Sequence, residues 1–237
     1  HPISGATRLT RGLDTGSKPR LSALITVLAL AVLQAGCAYP RPVRTYEVVV
    51  DYDRMTDRFD PLVSLLYMPD ESVLSKYRNF IIANLEPASH CAGNPETGQR
   101  YCEFFRHVLQ GELLRSRRFT FVTLDPLAVF PAPAVVLEGK MTRLEMGSGL
   151  LRYLNGLLFI FASQGATDFQ VEGRIVDAKS GALIMEFVDR RRHLGNTSWG
   201  PNPRTLDDEF VMKVTVRQTA ECLGRLISRI HAGMPPD

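Results

Sequence analysis

The chain is short of several things, and each shortage excludes a class of protein. It has no apolar run of the about 20 residues that a membrane-spanning helix needs. The longest unbroken stretch extends only from Leu21 to Leu33, with Ser22 and Thr26 inside it. It lacks the Gly-x-Ser-x-Gly elbow, the phosphate loop, His-Glu-x-x-His and the dinucleotide glycine pattern. Gly147-Ser148-Gly149 has no lysine at the offset a phosphate cradle requires. Histidine is scarce: beyond the first segment it stands only at 90, 107, 193 and 231. His193 follows Arg190, Arg191 and Arg192, a solvated setting rather than a catalytic one. The sequence therefore names no catalytic residue and no cofactor, and the expectation is a protein that is not an enzyme. An enzyme whose site is assembled from distant residues is the remaining alternative.

A charge of one sign is missing as well. The whole chain carries 28 Lys+Arg against 25 Asp+Glu, a net of +3. Arg8, Arg11, Lys18 and Arg20 stand in the first 36 residues against Asp14 alone, so the remainder is balanced. A neutral domain offers no electrostatic footprint for nucleic acid.

What is present begins with TVLALAVLQAGCAYPRP, residues 26 to 42. The run is apolar all round, basic residues precede it, and small residues follow at Ala35 and Gly36. That is the layout of a removable export signal, not of an amphipathic core helix. Pro40 and Pro42 then interrupt regular structure. Leu33-Gln34-Ala35-Gly36-Cys37 resembles the lipobox of bacterial lipoproteins, although Gln34 occupies a place where that pattern has an aliphatic residue. The resemblance implies that residues 1–36 are removed and that Cys37 is acylated and becomes the new N-terminus. Ala38, rather than aspartate, follows the cysteine, which implies the outer membrane, with the domain facing the periplasm. Acyl chains hold a protein on a bilayer without any spanning helix. An ordinary secretory signal with a nearby free Cys37 is the alternative.

Of the other cysteines, Cys91 and Cys102 bracket a polar, turn-rich stretch, AGNPETGQRY. In an exported chain a disulfide between them is expected. A metal site drawing on His90, Cys91, Cys102 and His107 is the alternative, though the spacing matches no standard zinc pattern. Cys222 lies in a helical pattern and is expected to be a small buried residue.

Residues 37–76 give the appearance of a tether and lead-in, with YEVVV (46–50) as a short strand, and 77–237 that of the folded domain. YRNFIIANL (77–85) has strand composition. Tyr101, Phe105, Val108 and Glu112, flanked by Phe104, Leu109 and Leu113, recur at helical spacing. Arg115, Arg117 and Arg118 crowd the end of that helix, where cations meet the negative pole of the macrodipole. Strands are expected at 119–124 and 134–141, and a hairpin at 166–178 and 182–190 around Asp177-Ala178-Lys179-Ser180-Gly181. The closing helix opens on a Thr205/Asp208 cap pair and repeats Val216, Ala220, Leu223, Ile227 and Ile230. The class is α+β: a mixed, largely antiparallel sheet with two main helices packed on it, in the order β-α-β-β-β-β-α.

Residues 77 to 231, through YRNFIIANL, RRFTFV, VVLEGKMTRLEMGSGLLR and VDAKSGALIMEF, resemble a family of uncharacterised Gram-negative lipoproteins. The resemblance implies a core similar to the TolB N-terminal domain and to the curli-secretion lipoprotein. Its motifs are structural, with no catalytic residues to transfer. The expected function is a lipid-anchored periplasmic binding or assembly module. Its partners would be the outer membrane and an envelope protein or a second copy of itself. An oligomeric secretion or envelope-assembly component is the alternative.

One stretch stands apart. LLRYLNGLLFIFA, residues 150 to 162, is strongly apolar in a connection between strands, where polar residues are usual. It is either buried core or an exposed contact for a partner or the bilayer. The contact residues would be Leu150, Leu151, Tyr153, Leu154, Leu157, Leu158, Phe159 and Phe161.

Overall fold

Alternation and helical periodicity place most of the chain correctly. The computed structural model describes residues 40–57, 62–70, 72–89, 91, 95–151, 153, 165–193 and 203–234. The expected signal segment and Cys37 lie outside these. The strands are β1 (Thr56–Asp57), β2 (Leu65–Tyr67), β3 (Asn79–Pro87), β4 (Phe121–Thr123), β5 (Ala134–Glu145), β6 (Thr167–Asp177) and β7 (Leu183–His193). The long helices are α1 (Pro95–Ser116) and α2 (Asp208–His231). Short 3-10 turns occupy Val73–Lys76 and Pro203–Leu206.

One sheet holds all seven strands in the order β1-β2-β7-β6-β5-β3-β4. The β1–β2, β2–β7, β6–β7 and β5–β6 pairs are antiparallel, and β3 lies parallel to both β5 and β4. From β3 onward this is the α+β order expected from the sequence.

The core lies between the helices and one face of the sheet. Phe169, Val171 and Ile175 of β6 point into it, as period-two alternation requires. Phe105, Leu109 and Leu113 of α1 and Val216, Leu223 and Ile227 of α2 meet them there. Gly224 lets the helices approach: a Cβ there would lie 2.7 Å from Cγ of Glu112. His231, buried at the end of α2, packs its ring edge on Phe119 at 4.6 Å and lies 2.9 Å from the Tyr77 carbonyl.

The hairpin turn forms as expected. The Asp177 carboxyl accepts from the Lys179 and Ser180 amides and the Ser180 hydroxyl, at 2.9, 2.6 and 2.8 Å. Gly181 takes φ +72°, which side chains disfavour. The Ser180 and Tyr77 hydrogen bonds hold the Asp177 pKa down at about 2.

Three expectations are corrected. YEVVV is not a strand: Val49 turns inward with Tyr52 and Met55 against Val188. The first helix starts at Pro95, inside the stretch expected to be a loop. Proline suits the first helical position, where its missing N–H has no intrahelical partner to lose. Finally, the cap of α2 is Asp207, whose side chain accepts from the Phe210 amide at 3.0 Å, and not Thr205.

Candidate functional site

Alternation that sends Phe169 and Val171 inward sends Asp168, Gln170, Glu172 and Arg174 to the opposite face. In an antiparallel sheet such a face is normally wet. Here it is covered. Residues 40–57 run across it as a strap, and Gln170 and Glu172 become fully buried beneath it.

The strap is fastened at successive points along its length. At its start, the Arg190 Nη1 donates to the Arg41 carbonyl at 2.6 Å. The Gln170 amide then imitates a β-ladder partner: its oxygen accepts from the Val43 N–H and its nitrogen donates to the Val43 carbonyl, both at 2.7 Å. Glu172 is the central clamp. Its carboxyl accepts from the Tyr52 hydroxyl at 2.6 Å, from the Val48 and Val49 amides at 3.3 and 3.4 Å, and from the Thr45 hydroxyl. Burial, followed by the hydrogen bond to Glu172, raises the Tyr52 hydroxyl above the ordinary phenol range. Lys140–Glu47, at 3.0 Å, and Arg54–Glu186 pair two of the strap's charges with the sheet.

At the end where β6 begins and β7 finishes, the carboxyls are matched by guanidinium groups. Asp168, buried, accepts from Nε of Arg190 at 2.9 Å and pairs with Arg143. Hydrogen bonding to Asp168 raises the Arg190 pKa. Asp189, on the core side, pairs with Arg191 at 2.9 Å and accepts from the Ser64 hydroxyl at 3.2 Å. Burial drives its pKa up in spite of Arg191. Pro40, Arg190, Arg191, Arg192, His193 and Gln218 are among the residues lining a cavity of about 160 Å³ at this end.

The residues singled out in the sequence fall as follows. Cys37, Leu154, Leu157, Leu158, Phe159 and Phe161 lie outside the described residues. Leu150 and Leu151 are 62% and 41% exposed and Tyr153 is half-buried. Cys91 and Cys102 are both buried and stand as separate free thiols; the expected bridge is absent. The stretch expected to be a polar, turn-rich loop is helix from Pro95 onward, and Cys102 sits on α1. Burial pushes both thiols up to about 12, Cys102 further helped by Cys91. Under reducing conditions, neither is expected to react with iodoacetamide at pH 8 until the protein is denatured, because reaction needs the thiolate. Peptide mapping of the alkylated, folded protein checks this. Among the described residues no group of three or more potential ligands could hold a metal ion.

Gln170 and Glu172 were missed as functional positions because their alternation reads as a solvated face. One signal could have found them: the outward positions of β6, a central strand of the sheet, carry Asp168, Gln170 and Glu172 in succession.

No family model matches the sequence, and no curated protein does. Three solved structures show a distant likeness. The PelC dodecamer from Paraburkholderia phytofirmans is 10% identical, with 67% of this chain and 95% of that one covered and a TM-score of 0.40. Protein XCC0632 from Xanthomonas campestris, of a domain-of-unknown-function family, is 11% identical, with 62% and 82% covered and a TM-score of 0.40. A minor lipoprotein from Acinetobacter baumannii is 13% identical, with 64% and 93% covered and a TM-score of 0.33. At this distance no residue role is transferred, and the function is argued from this chain itself.

Proposed function

We propose that the protein is a lipid-anchored binding module of the bacterial envelope, held on the outer membrane through Cys37 and facing the periplasm. The observation that carries this reading is the strap. The lipobox-like sequence ends at Cys37, and four positions after it the chain is already clamped to the sheet. A long, free tether is thereby replaced by a short leash. The strap's fastening to the sheet begins at Arg41, so Cys37→Ser should leave folding intact. It should also move the protein from the outer-membrane fraction to soluble periplasm, or strand the unprocessed precursor in the inner membrane. Unchanged processing and unchanged outer-membrane fractionation would contradict the reading.

A second reading, self-association, is favoured by the β4 edge of the sheet, which has no further strand beside it among the described residues. β4 is a short edge strand with Phe121 exposed, and beyond it Leu127 and Val129 are 85% and 92% exposed. Apolar surface at an unpaired strand edge suits a second chain. Leu127→Asp with Val129→Asp should convert any oligomer seen by sedimentation to monomer without changing the melting temperature. A wild-type protein that is monomeric at tens of micromolar removes this reading.

A further inference from the structure

We infer that the end of the sheet where β5 and β7 finish and β6 begins is a bilayer-contact face that takes anionic phospholipid headgroups. The inference rests on the anchor reading above and adds to it an orientation and a ligand chemistry.

Three independent features meet at this end. The first is reach. Arg41 is pinned here by Arg190, whose β7 position pairs with Gln170 of β6. Cys37 precedes Arg41 by only four positions, and an extended chain spans at most about 3.6 Å per residue. An acylated Cys37 therefore holds this end within about 14 Å of the lipid, while the Asp177–Gly181 turn lies at the far end of the same hairpin.

The second feature is charge. Arg190, Arg191, Arg192 and His193 line the cavity beside Pro40. Asp168 and Asp189 hold the Arg190 and Arg191 guanidinium groups in place, and Arg41 and Arg192 are exposed. Arginines arranged around a small cavity suit a phosphodiester, which accepts hydrogen bonds from their planar donors.

The third feature is apolar. The connection that leaves β5 departs from this same end, because Glu145 pairs in register with Asp168 and the Thr167 hydroxyl donates to the Met146 carbonyl at 2.9 Å. Exposed Leu150 and Leu151 follow on it four and five positions after Met146. Apolar side chains with a basic rim are the composition of an interfacial membrane contact. A protein partner would account for the leucines but not for their coincidence with the leash. The bilayer accounts for both.

The test uses the full lipidated chain. The native thiols are buried, so cysteines introduced as Leu151→Cys and, separately, Ser180→Cys accept an environment-sensitive fluorophore selectively. Each protein is reconstituted into vesicles of phosphatidylethanolamine with phosphatidylglycerol, and flotation and intact mass are recorded. The label at 151 should shift to the blue and that at 180 should not. Arg41→Gln with Arg192→Gln should lower the ratio of docked to undocked molecules roughly 25-fold, at roughly fivefold per cation, returning the 151 label to water-like emission. Neutral phosphatidylcholine vesicles should do the same. Flotation with water-like emission at 151 overturns the inference alone. So does a blue shift that survives both the arginine changes and neutral lipid, or one that rises with protein concentration without vesicles, which would mean a second copy covers the face. Loss of flotation with no acyl mass overturns the anchor reading, and the inference with it.

Discussion

Replacing Glu172 by alanine should release the strap. The wild-type carboxyl gathers the Thr45 and Tyr52 hydroxyls and the Val48 and Val49 amides in a buried site. Alanine supplies no acceptor, so these donors stay desolvated or the strap lifts to let water reach them. Leaving buried donors unsatisfied costs about 1–3 kcal/mol each in place. Lifting the strap is the cheaper route, since its own apolar cluster is small, with Val49, Tyr52 and Met55 against Val188. Opening is then local rather than global. Trypsin should cut after Arg44 and Arg54 at least about 10-fold faster than in wild type, the ratio for a loss of about 1.4 kcal/mol, while the 77–231 core remains intact. Glu172→Gln, which exchanges one acceptor oxygen for a donor, should fall between the two. Unaltered cleavage kinetics in the alanine variant would mean that Glu172 does not hold the strap.

The second large effect belongs to the core. Phe105 is fully buried on α1, with its ring centroid 6.3 Å from that of Phe169 on β6. It joins the helix layer to the middle of the sheet. Phe105→Ala should cost about 3–5 kcal/mol, lowering the melting temperature by roughly 10 °C in a domain of this size. Its neighbour Phe104 lies on the margin, half-buried, with the Arg217 guanidinium 5.8 Å above its ring. Phe104→Ala should lose only about 1 kcal/mol, from partial burial and an exposed cation–π contact. Equal losses in calorimetry would show that α1 presents a different face from the one described.

Those two phenylalanines mark the limit of what the sequence reveals. Helical spacing puts both on one apolar side of α1, and only packing separates them. The succession of strands along the chain from β3 to β7 was legible because each strand carries its own alternation and the hairpin turn its own chemistry, in Asp177 and Gly181. The strap was not legible. Its residues, rich in arginine, proline and valine, have no period of their own, and its stability comes from β6 residues more than 100 positions away. A covered polar face and a wet one have the same alternation, so Gln170 and Glu172 look ordinary until the strap is seen. The bridge expected between Cys91 and Cys102 failed for a related reason. Pro95 and Glu96, which look like turn residues in isolation, open a helix once α1 has a sheet to pack on.

The central claim is that the chain is tethered by lipid at Cys37, close against the strap. Intact-mass spectrometry of the protein extracted from its native membrane tests this most directly. The account predicts a mature chain beginning at Cys37, heavier than the polypeptide by its acyl groups, with that added mass confined to the N-terminal peptide and absent from Cys37→Ser. A mature chain of unmodified polypeptide mass, or one that retains residues 1–36, would contradict it.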